Sequence, residues 1–66
     1  MEVVINGTPH QVRDEMSLAQ AVSLLTRSAT GVAAAINGEV VRRAAWESTR
    51  LAAGDHIEVI TAVQGG

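Results

Sequence analysis

Along this chain the hydrophobic period switches from that of a strand to that of a helix and back again, and turn residues divide the strands. Val3-Val4-Ile5 is a β-branched run that suits a pleated strand. Asn6-Gly7 follows at once, and this pair readily takes positive φ at both centres of a type I′ turn. A return strand is predicted from about Pro9 to Arg13, with Val12 as its core residue. Between Ser17 and Arg27 the period becomes helical, since Leu18, Ala21, Val22 and Leu25 form one apolar stripe. Ser17 with Gln20 makes a capping-box pattern, and Asp14 and Glu15 lie just before the positive end of the helix dipole. Arg27 falls at the negative end and Gly31 is a stop signal beyond it. Val32-Ala33-Ala34-Ala35-Ile36 reads as a third strand, Asn37-Gly38 repeats the hairpin signal, and Glu39-Val40-Val41 leads back out. Arg42 to Ser48 is expected to be irregular or a single helical turn. Leu51 opens a turn closed by Gly54-Asp55, and a last strand runs from Ile57 to about Val63.

Hairpin, helix, strand pair and final strand define an α+β chain. One helix with one apolar face must pack across one face of a mixed sheet of four or five strands. The two terminal strands can pair in parallel at its centre. That order predicts a β-grasp, or ubiquitin-like, domain over residues 1–63, followed by a flexible tail over 64–66.

Composition narrows the chemistry. Sixty-six residues make one small domain with no room for a deep catalytic cleft. Cysteine is absent, which removes a persulfide, a thiolate nucleophile and a cysteine metal site. All five basic residues are arginine, so no lysine of this chain can take an isopeptide bond. The net charge of −2 argues against nucleic acid as a partner. No apolar run reaches the roughly 20 residues of a membrane span, and there is no basic segment ahead of an apolar one, so no membrane partner and a cytoplasmic location are expected. His10 and His56 are far apart and read as surface histidines, so no metal site is expected. Ser17 reads as a cap, Asp55 as a turn residue, Arg42-Arg43 as a solvated pair and Trp46 as a core plug. With no convergent acid, base or nucleophile, the chain is not expected to be an enzyme.

What remains is the end of the chain. Gly65-Gly66 follows the last strand, where glycine has nothing to pack. Lacking Cβ atoms, the pair can thread a channel too narrow for other residues and bring the α-carboxylate of Gly66 into a partner's active site. Val63 and Gln64 would pair with partner backbone in an extended form. Beside that tail, alternation along the last strand turns Ile57, Val59 and Thr61 towards the helix and Glu58, Ile60 and Ala62 away from it. Ala33, Ala35 and Val4 join Ile60 and Ala62 in an apolar patch suited to docking.

Taken together, the opening strand with Asn6-Gly7, the helix from Leu18 to Leu25 and Val32-Ala33-Ala34-Ala35-Ile36-Asn37-Gly38-Glu39-Val40-Val41 form a recognisable series. Trp46, Leu51-Ala52-Ala53-Gly54-Asp55 and the final Gly65-Gly66 complete it. The series resembles the ThiS family, the sulfur carriers of thiamine biosynthesis, over essentially the whole chain. One departure is Ala34, where a larger aliphatic residue is expected in the strand core. The resemblance implies that Gly66 is adenylated and converted to a thiocarboxylate, with Gly65 keeping the approach slim. It implies three partners: a ubiquitin-activating-like adenylyltransferase that uses ATP and magnesium, a cysteine desulfurase or other persulfide source, and thiazole synthase. The carrier itself would bind no cofactor. Other readings stay open on the residues alone: a carrier for molybdopterin or another pathway, a ubiquitin-like modifier conjugated through Gly66, or a β-grasp interaction module that carries nothing.

Overall fold

The computed structural model describes residues 1–27 and 31–61. Strand β1 (Glu2–Ile5) and strand β2 (Thr8–Gln11) form the first hairpin, followed by helix α1 (Leu18–Leu25). Strands β3 (Val32–Ile36) and β4 (Glu39–Val41) form the second hairpin. A 3₁₀ turn (Arg43–Ala45) leads on to strand β5 (His56–Thr61). The sheet order is β2-β1-β5-β3-β4. Strand β5 lies in the middle, parallel to β1 through Val4↔His56 and Ile5↔Ile57, and antiparallel to β3 from Ile36↔Ile57 to Val32↔Thr61. This is the β-grasp arrangement, with one helix across one face.

Both hairpins turn as their sequences predict. Asn6 and Asn37 each have φ 50°, followed by Gly7 at 82° and Gly38 at 88°. A Cβ added at Gly7 or Gly38 would meet nothing within 4 Å, so glycine is needed there for its backbone alone. The asparagines also act at longer range. Asn6 Nδ2 donates to the Val59 carbonyl at 3.1 Å, and Asn6 Oδ1 accepts from the Val59 N–H at 2.8 Å. Strand β1 turns away after Ile5, and this side-chain amide continues its ladder by one more residue of β5. Asn37 is tied to the other end of β5, where its Oδ1 accepts from the His56 N–H at 3.0 Å and its Nδ2 donates to Asp55 Oδ1 at 3.1 Å.

Helix α1 is shorter than its sequence pattern suggests. Its start follows the expected capping box: Gln20 N–H donates to Ser17 Oγ, and Ser17 N–H donates to Gln20 Oε1. The first two helical N–H groups are also satisfied, Leu18 by the Thr49 carbonyl and Ala19 by the Trp46 carbonyl. Thr26 ends the helix in an extended conformation, so Arg27 lies past the last turn rather than at its negative end. No acidic residue stands in the first turn; Asp14 instead lies 3.6 Å from the N-terminal ammonium of Met1. Leu18, Ala21 and Val22 carry the buried stripe, whereas Leu25, at the helix's last position, is 44% exposed. No helix among the described residues is long and apolar enough to cross a membrane.

The core lies between α1 and the sheet. Val3, Ile5, Ile57 and Val59 from the central strands meet Leu18, Ala21 and Val22, with Val12, Trp46 and Leu51 closing the sides. Trp46 is buried and its Nε1 donates to the Val41 carbonyl at 2.7 Å, which confirms it as a core plug with its polar atom satisfied. Thr61, expected to face the helix, is exposed at the strand's end. Ala34 is 1% exposed within the same buried cluster as Ala21, so a small residue stands in the core where a larger aliphatic is expected.

Two stability measurements check this account. Asn6→Gly keeps the turn and deletes the amide, leaving the Val59 backbone groups without that partner; urea unfolding should show a loss of about 1–3 kcal/mol. Ala34→Leu should destabilise by about 1–3 kcal/mol through overpacking, and an unchanged or higher midpoint would place free space beside this residue.

Candidate functional site

Strand β5 connects directly to residues 62–66, which lie outside the described residues, and with them the expected tail of Val63, Gln64, Gly65 and Gly66 and the patch residue Ala62. The strand pairings define the surface around the end of β5. On the face turned away from α1, Ile60 lies opposite Ala33, Glu58 opposite Ala35, and Ala35 opposite Val40. Towards β2, Val4 lies beside His56 and opposite Pro9 on the same face.

Four residues expected on this face are thus brought onto it by the register, though not equally exposed. Ile60 is 61% exposed, Ala33 is exposed and Val4 is half-buried. Ala35 is only 7% exposed, flanked by the longer side chains of Glu58 and Val40. It forms the floor of the patch rather than a contact point. Val40, at 79% exposure, is the residue that sequence reading missed. The signal was available: a two-residue Asn-Gly loop pairs Ile36 with Glu39, which sets Val40 opposite Ala35 on the same face. The exposed apolar rim is therefore Ile60, Ala33 and Val40, with Glu58 and His56 as its polar neighbours.

The helix side offers different chemistry. An open groove of about 470 Å³ is lined by Ser23, Thr26, Arg27, Arg43, Trp46 and Glu47 among others. The Arg43 guanidinium lies over the Trp46 ring, 5.1 Å from its centroid. No residue there is an activated nucleophile with a base beside it. His10 pairs with Val3 on the helix-side face of the sheet, while His56 is on the opposite face, so the two histidines share no site. Among the described residues no group of three or more His, Cys, Asp or Glu is placed to hold a metal ion. Ser17 is buried in its capping box, and Asp55 accepts from the Ala52 N–H at 2.7 Å and from Asn37. Both are engaged in structural bonds.

Comparison with known proteins gives a consistent result. A sequence model of the ThiS family matches residues 3–66. The chain is similar to the crystal structure of the thiamine biosynthesis protein ThiS from Geobacter metallireducens, with a TM-score of 0.82 and 30% identity, covering 100% of both chains. It is also similar to the solution structure of a thiamine biosynthesis protein from the same organism, with a TM-score of 0.81 and 29% identity, covering 100% of this chain and 88% of that one. No curated protein matches it.

The two faces of β5 should respond very differently to substitution. Ile57→Ala removes a core side chain and should cost about 2–5 kcal/mol in urea unfolding. Ile60→Asp, on the open face, should cost no more than about 1 kcal/mol, the span of strand propensity. A larger loss at Ile60 would mean that it packs within the fold.

Proposed function

The chain belongs to the ThiS family of small sulfur carriers, and on that premise we propose that Gly66 is the residue that holds the sulfur. A carboxylate is a poor electrophile because it has no good leaving group. Attack of the Gly66 carboxylate on the α-phosphorus of ATP releases pyrophosphate and leaves an acyl adenylate. A sulfur nucleophile then attacks the acyl carbon and AMP departs. Sulfide gives the thiocarboxylate directly; a persulfide gives an acyl disulfide that a thiol must open. The thiocarboxylate donates its sulfur to formation of the thiazole ring of thiamine.

The catalytic groups for these steps come from partners: an adenylyltransferase of the ubiquitin-activating type with ATP and magnesium, a cysteine desulfurase or other persulfide source, and thiazole synthase. The observation that carries the reading is the family match itself, which runs through Gly65-Gly66 to residue 66. The absence of cysteine supports it, since thiolate chemistry then has to be supplied by another protein. Gly65 keeps the approach to Gly66 narrow, and Val63 and Gln64 lie extended against the partner's backbone. Ile60, Ala33 and Val4, with Val40, provide an apolar surface on the face of β5 turned away from the helix, and Ala35 is its floor; Ala62, which lies outside the described residues, is expected to extend it by strand alternation.

Incubation with a cognate adenylyltransferase, Mg-ATP and sulfide should raise the intact mass by the difference between sulfur and oxygen, and a chain lacking Gly66 should not change. No gain with an enzyme shown active on another carrier would overturn the proposal. Gly65→Val should slow the reaction by at least about tenfold if the channel is narrow, and Ile60→Asp should weaken capture of a partner while leaving the fold intact.

A further inference from the structure

One tripeptide occurs twice in this chain, as Ile5-Asn6-Gly7 and Ile36-Asn37-Gly38, and each copy turns a hairpin. Their turn conformations agree closely, with the asparagines at the same φ and the glycines within a few degrees of each other. Asn-Gly is also a chemically vulnerable pair. Glycine has no side chain to shield its N–H, so its backbone nitrogen can attack the neighbouring asparagine Cγ. In an unfolded chain the two copies should react at similar rates. Any large difference in the folded protein must come from the fold.

The fold restrains the two amides unequally. Both ends of the Asn6 amide are bonded to the backbone of Val59 in a partly buried setting. Freeing it requires moving a hairpin whose Val3 and Ile5 are among the most deeply buried residues. The bonds of Asn37 to Asp55 and His56 are exposed to water. Each hairpin ends in an edge strand with one neighbour, β2 beside β1 and β4 beside β3, and β4 is the shorter at three residues against four. Short edge elements with solvent-exposed bonds are the ones that open locally while the rest of a protein stays folded.

We propose that Asn37 is a site of spontaneous deamidation in the folded protein, and that Asn6, in the same tripeptide, is protected. The Gly38 nitrogen bonds to Asn37 Cγ, the bond from Cγ to the amide nitrogen breaks, and ammonia leaves with the proton lost by Gly38. Water then opens the resulting succinimide at either carbonyl, giving aspartate or isoaspartate. The net change is one water consumed and one ammonia released, with no oxidant, metal or enzyme. The product reverses a contact. Nδ2 of Asn37 donates to Asp55 Oδ1, whereas an aspartate places a second carboxylate against the first. Isoaspartate adds a methylene to the main chain and cannot keep the two-residue turn. Either way the β3–β4 hairpin loses a tie to the start of β5, and the modified fraction grows with the age of the molecule.

The test needs only the intact protein. Samples are held at neutral pH and physiological temperature, folded or in concentrated urea, and then cleaved after arginine. Residues 1–13 carry Asn6 and residues 28–42 carry Asn37, so mass spectrometry reads each site on its own peptide. In urea the two sites should convert within about twofold of each other, and in the folded protein Asn37 should convert at least about tenfold faster than Asn6. Equal rates in the folded protein, or a faster rate at Asn6, would overturn the proposal.

Discussion

The parallel pairing of β1 with β5 holds this fold together. It joins residues from opposite ends of the chain, and its register extends over only Val4↔His56 and Ile5↔Ile57. The ladder is extended beyond those pairs by loop and side-chain groups. Val4 N–H donates to the Asp55 carbonyl, Asn6 N–H to the Ile57 carbonyl and Gly54 N–H to the Glu2 carbonyl. The Asn6 amide then takes both backbone groups of Val59. A central strand has polar backbone on two edges, and each group needs a partner once water is excluded. The two Asn-Gly turns therefore do more than reverse the chain: their side chains fasten the middle strand from both sides.

The architecture was largely readable from sequence because local signals agreed with one another. The two Asn-Gly pairs, the Ser17–Gln20 box and the Gly54-Asp55 turn are chemically specific, and each appears where expected. Less was readable where a property depends on distant neighbours. Leu25 has the right spacing for the core, but the helix ends there. Ala34 is smaller than the aliphatic expected at a buried strand position. Ala35 has the right face but is flanked by Glu58 and Val40. The bonds from Asn6 to Val59 bridge fifty-three positions and leave no mark in the local pattern. As for the candidate site, its face followed from strand alternation, while Val40 required the loop length to be converted into a register.

The two faces of the sheet divide the work. One is spent on the core, with Ile57 and Val59 of β5 turned inward. The other carries Ile60, Glu58 and His56 from the same strand. Because β5 contributes to both, the strand that organises the interior also leads directly towards Gly65-Gly66. In a domain of sixty-six residues there is little surface to spare, and one strand serves both the core and the open face, with Ile57 and Val59 buried between exposed neighbours.

The position of β5 in the chain has a consequence for biosynthesis. It is the last described strand in sequence order and the middle one in space. During translation the two hairpins and the helix emerge first, and none of them can close the sheet without it. Contacts of such long sequence separation form late and are slow to find. Two-stranded hairpins on their own are marginal in water, so the sheet and the core beneath it cannot form until β5 has been made.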